Sequence, residues 1–156
     1  MVPHIIFFCA VVITAILYAK LETHIEGEAG WAKNLPTWRI KTILTNIFFP
    51  GHYITGYHLY FAFLILAMAH LPFIVGVWWG VSWEFKKEAL ILSYVFFLYV
   101  FEDFLYFVLN PYYGLKKFKR EHIEWYKDGW FLIAPRNYWI AIPLAVVLYF
   151  LGTNII

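Results

Sequence analysis

VFFLYVFEDFLYFVLNP, residues 95–111, sets Glu102 and Asp103 side by side in a run otherwise built of Phe, Leu, Val and Tyr until Asn110 and Pro111 end it. The run reads as a membrane helix, and on insertion scales a carboxylate near the middle of such a helix costs about 2.5–3.5 kcal/mol. Two of them require something that answers their charge. The rest of the chain fits the same setting. Its 156 residues are 63% hydrophobic, 23% aromatic and only 14% charged, more apolar surface than one soluble core of this length can cover.

Working outward, four segments are long and apolar enough to cross about 30 Å of hydrocarbon: residues 2–19, 52–79, 88–110 and 130–152. Residues 2–19 lack the basic n-region and the small-x-small cleavage site of a signal peptide, so they are expected to be a retained first span. Pro72 in the second span and Pro143 in the fourth favour kinks. The single cysteine, Cys9, lies inside an apolar run and excludes a disulfide framework or a thiolate metal cluster.

Positive charge orients the bundle. Lys20, Lys33, Arg39 and Lys41 lie in one long connection, and Lys116, Lys117, Lys119, Arg120, Lys127 and Arg136 in the other. The short connection between spans two and three holds only Lys86 and Lys87. The positive-inside rule makes both long connections cytoplasmic and places both termini on the non-cytoplasmic side. Each long connection also carries an amphipathic pattern. In TWRIKTILTNIFF (37–49), Ile40, Ile43, Leu44, Ile47 and Phe48 share one helical face; in LKKFKREHIEWYKD (115–128), Leu115, Phe118, His122 and Trp125 form a stripe. The expected fold is an all-α integral membrane protein of the cell membrane. Four transmembrane helices and two cytoplasmic interfacial amphipathic helices form one bundle over residues 1–156.

Polar residues converge on the cytoplasmic half. Tyr99, Glu102, Asp103, Tyr106 and Asn110 follow spacings of three and four, so they belong to one side of the third span. In the second span Thr55, Ala62, Ala69 and Gly76 recur every seven residues as a small-residue seam, with His58 on it. At 1.5 Å per residue His58 lies about 10 Å in from Gly51, and Glu102 about 12 Å in from Asn110. The first span ends in a stripe of Thr14, Tyr18 and Glu22, then enters ETHIEGEAGWAKNLPTWR, where Gly27 and Gly30 permit a tight fold.

Carboxylates and imidazoles without thiolates suit Zn, Fe or Mn in a nitrogen and oxygen environment. The expected ligands are His58, Glu102, His122 and Glu26, with Asp103 the alternative to Glu26. Glu102, Asp103 and Tyr106 are the candidate catalytic groups. Tyr99, Asn110, Arg39 and Arg136 are the candidates for orienting ligands or contacting substrate. No HExxH, no paired Glu-x-x-His and no set of histidine boxes is present. His4, His52 and His70 are expected to lie outside the site, and the eight tryptophans to form interfacial belts.

The function that follows is a metal-binding membrane protein, expected to be a hydrolase or oxidoreductase acting on a lipid or amphiphilic substrate at the cytoplasmic leaflet. Two alternatives stand beside it. One is a small transporter or proton-coupled protein, disfavoured by the scarcity of polar residues in the outer half. The other is a structural or assembly subunit whose carboxylates pair with Lys20, Arg39 or Arg136. KKFKR (116–120) is short and flanked by acids, which points to anionic lipid headgroups and not to nucleic acid. The seam of the second span offers a surface for a second copy of the chain.

Overall fold

A computed structural model describes residues 1–43, 45 and 52–153. Four long helices carry these residues: α1 (Val2–Glu26), α2 (Gly56–Gly76), α3 (Phe85–Leu109) and α4 (Arg136–Thr153). The first three are long and apolar enough to cross a membrane. α4 covers about 27 Å at 1.5 Å per residue. Two short antiparallel ladders join them at one end. β1 (Arg39–Ile40) pairs with β2 (Ile54–Thr55), and β3 (Trp130–Phe131) pairs with β4 (Ala134–Pro135).

α3 is the central helix, packed between α1 and α4. The contact with α1 is made by a face of small residues. Val11, Ala15 and Ala19 are fully buried, and the same face continues through Glu22 and Glu26. The helix therefore runs past its expected end at residue 19 and carries two acids inward on the stripe that packs its apolar part. Against α4, Ser93 donates to the carbonyl of Ala145 at 2.8 Å. Gly152 lies so close that a Cβ there would sit 2.4 Å from Leu90 Cγ and 2.9 Å from the Lys86 carbonyl.

α2 stands apart and is held at its ends. At its N-terminal end β1–β2 ties it down, the Tyr57 N–H donates to Thr37 Oγ1 at 2.9 Å, and Gly56 rests on the Trp38 ring. At its C-terminal end Glu88 on α3 meets His70 Nε2 at 3.1 Å, and Gly76 packs on Val81. Between these ties only Gly56 and Gly76 of α2 are buried. The small-residue seam is not covered by another helix: Ala62 and Ala69 line open cavities between α2 and the rest of the bundle.

The capping region departs from the expected interfacial helices. Residues 115–128 form no continuous amphipathic helix. They make two short 3₁₀ turns, Leu115–Lys117 and Glu124–Gly129, separated by bends. The residues that turn inward are Ile123, Trp125 and Tyr126, and they join Ala19, Tyr106 and Phe107 in a buried cluster. A straight helix would keep such an apolar face parallel to the membrane; here a chain that folds over the bundle end buries those rings instead. In the other connection Arg39 and Ile40 are in β1, not in a helix. Residues 44 and 46–49 of the expected 37–49 helix lie outside the described residues.

Candidate functional site

The site begins with the turn that ends α1. Gly27 and Gly30 both adopt positive φ, as the sequence predicts, and Trp31 and Ala32 follow at φ 48° and 51°. This left-handed run aims backbone N–H groups back at the helix end, the arrangement that cradles an anion. The Ala32 N–H donates to Glu26 Oε1 at 2.6 Å. Gly30 admits no side chain for a second reason, because a Cβ would fall 2.1 Å from Trp125 Cη2. The turn is locked to α3 through the Gly27 carbonyl, which accepts from the Tyr106 hydroxyl at 3.0 Å and from Asn110 Nδ2 at 2.8 Å.

α2 brings His58 to the same place. Thr55 caps that helix by accepting the His58 N–H at 3.2 Å, and its Oγ1 also shares a 2.7 Å hydrogen bond with His58 Nδ1. Trp31 lies over the imidazole with ring centroids 4.7 Å apart. Fixed on two sides, the ring directs Nε2 to Glu26 Oε1 at 3.4 Å. Glu22, Glu26 and His58 each offer a ligand atom within 4.8 Å of the others. Two donors held 2.0–2.2 Å from one ion in tetrahedral directions lie about 3.4 Å apart. The residues present therefore fit a cation.

α3 contributes the two acids of the opening sequence, and they part company. Asp103 accepts from the Tyr126 hydroxyl at 2.9 Å and from the Tyr138 hydroxyl. Burial, together with the Asp103 charge, holds the Tyr126 hydroxyl well above its ordinary pKa, so it remains a donor. Glu102 turns toward α1 and lies against Glu22. It is 8% exposed, and its Oε1 accepts no hydrogen bond from the described residues. The Tyr57 hydroxyl, within electrostatic reach of Glu22, Glu26 and Glu102, is a second buried polar atom without a partner. Orphaned atoms of this kind call for a ligand.

Glu22, Glu26, His58, Glu102, Asp103 and Tyr126 line a cavity of about 460 Å³ together with apolar residues of α2 and α3. None of the ion pairs among the described residues joins Glu22, Glu26, Glu102 or Asp103 to a lysine or arginine. Lys20 donates to the Leu109 carbonyl, and Arg39 binds the carbonyls of Thr37, Ala32, Lys33 and Leu35, bracing the turn from outside. Arg136 is exposed at the start of α4.

Of the residues singled out by sequence, Glu26, His58, Tyr99, Glu102, Asp103 and Tyr106 are brought to one cavity. Tyr99 is engaged by Asn137, and Tyr106 and Asn110 are committed to the Gly27 carbonyl. His122 is not brought in. It is exposed beside Glu121, at 3.9 Å, because the bend places Ile123 inward in its stead. Sequence reasoning missed Glu22 as a ligand, though its spacing of four from Glu26 was visible, and it missed Tyr57. It also placed Trp31 and Trp125 in an interfacial belt, whereas Trp31 covers His58 and Trp125 is buried. No family model, curated protein or solved structure matches the chain.

Proposed function

We propose that the chain is a four-span membrane protein that binds a divalent metal through Glu22, Glu26, His58 and Glu102. In this reading the metal serves a reaction on a lipid or amphiphilic substrate, with both long connections cytoplasmic and both termini on the opposite side. One observation carries the proposal. Glu22, Glu26 and His58 converge in a low-dielectric cavity that Glu102 also lines, no ion pair among the described residues joins these acids to a lysine or arginine, and one buried Glu102 oxygen is left over. A set of three oxygens and one nitrogen without thiolate suits Mn, Fe or Zn. A bound ion would offset the mutual repulsion of the acids, which is strong where the dielectric is low.

Such an ion supplies Lewis acidity and an acidified water. The protein's own groups do the remainder. The left-handed turn fixes Glu26, Thr55 and Trp31 fix the imidazole, and the α1–α3 contact fixes Glu22. The Tyr57 hydroxyl, without a partner beside these acids, stands free to accept or deliver a proton. Asp103, already hydrogen-bonded by two tyrosines, holds the capping turn and α4 in register behind the site.

Metal analysis of the purified protein tests this. We expect close to one equivalent of Mn, Fe or Zn in the wild type and less than about 0.2 in Glu22→Gln and in His58→Ala. A wild-type value below about 0.2 equivalents after reloading with each of the three ions overturns the proposal.

A further inference from the structure

The cavity at the acid cluster has a neighbour. A second cavity of about 510 Å³ adjoins it between α1, α2 and α3, and Ile65 and Leu98 line both, at the waist between them. Each has the size of a site for one small organic molecule, roughly 300–1,000 Å³. The walls of this cavity are mostly apolar, and two of its hydroxyls engage each other: Tyr94 donates to Thr14 Oγ1 at 2.8 Å. Met68 lines the outer cavity while 51% exposed, and the exposed Ala62 lines the inner one, so the cleft opens sideways along α2.

We infer that this cleft is the binding site of a single-chain lipid with an uncharged head, its head at Glu102 and its tail past the Ile65–Leu98 waist. The inference names the substrate class of the metal site proposed above and rests on that reading. Three features choose this occupant. The first is length: from His58 to Pro72 the cleft follows about 21 Å of helix at 1.5 Å per residue. One leaflet of a 30 Å hydrocarbon core is roughly 15 Å deep, so a whole tail fits along it. The second is access, since the sideways opening along α2 admits a chain from the bilayer, and either cavity alone has the volume for one chain. The third is charge. No lysine or arginine lines either cavity, while Glu22, Glu26, Glu102 and Asp103 line the inner one. The four acids outnumber the charge of the one dication proposed above, so an anionic head would still meet net negative charge, and an alcohol, ester or amide would meet the Glu102 oxygen that lacks a partner.

The test uses the full chain in phosphatidylcholine nanodiscs with a monoacylglycerol carrying a diazirine in its tail, and the fatty acid of the same length as comparator. After photolysis the monoacylglycerol should label Met68, Ala69 and Ile91 about tenfold more than the lipid-facing Ile5 and Val147, and unlabelled monoacylglycerol should compete it away. The fatty acid should label the cleft about tenfold less. Ala69→Trp, which fills the outer cavity, should abolish cleft labelling with metal content unchanged. If that variant loses its folded elution profile, Ala69→Leu takes its place. Uniform labelling, equal labelling by the fatty acid, or cross-links between two copies through Ala62 or Ala69 would each overturn the inference. Metal content measured on the same samples separates the two proposals: competed labelling without metal removes the metal reading and leaves the lipid site.

Discussion

On one side of α3, Asp103 gives its oxygens to two tyrosine hydroxyls, one from the capping turn and one from α4. On the other side, one residue earlier, Glu102 leaves Oε1 bare in a cavity shared with Glu22. Adjacent residues on a helix point about 100° apart, so the pair spans two environments. The α4 side is packed and its acid is satisfied. The α2 side is a cleft, and its acid is not. The lesson is that a pair of intramembrane acids need not be one unit: Asp103 holds the fold together and Glu102 is left open in the cavity.

Mutations can break that contrast. Asp103→Ala strands two buried hydroxyls and should cost the most, about 2–4 kcal/mol of stability, read by thermal unfolding in detergent. An equal loss in Glu102→Ala would erase the distinction. Tyr126→Phe removes one of the two donors and should cost about 1 kcal/mol by the same assay. Glu102→Gln should change stability by no more than about 0.5 kcal/mol, because it removes a repulsion and the amide can still hydrogen-bond Glu22, while metal content collapses. Retention of full metal in that variant takes Glu102 out of the ligand set.

The smallest effect lies at the rim. Burial pushes the His52 imidazole below its ordinary pKa, against Asp128 and Glu124, which pull it upward. With the folded value depressed, the unfolded chain takes up the proton first as pH falls. The contribution of His52 to stability is therefore complete above about pH 6.5 and is lost below it. His52→Gln should flatten the fall in unfolding temperature between about pH 6.5 and 5, and an unchanged slope would show that the ring is not held neutral.

Much of this was legible from the residues. Hydropathy located the helix ends to within seven positions, and counting from the span ends brought His58 and Glu102 to one layer, where both line the inner cavity. Glycines 27 and 30 announced the turn that now cradles Glu26. Other features resisted for identifiable reasons. His122 and Ile123 are neighbours, and periodicity chose the wrong one because the segment bends in 3₁₀ turns and packs on Phe107 and Tyr106 instead of lying flat. Glu22 looked like a helix-end residue, since nothing local announces that α1 extends to Glu26 with its acids on the buried face. The seam on α2 promised close helix packing, and the same small side chains instead leave a cleft.

By itself the sequence determined what the chain could not avoid: helices that suit hydrocarbon, with acids and imidazoles gathered at one end. Those follow from transfer free energy and the 3.6-residue repeat, which are local properties. Tertiary structure alone decided which acid is answered and which is left open. Contacts that α1, α4 and the capping turn make with α3, residues distant in the chain, settle whether a carboxylate meets a tyrosine or a cavity.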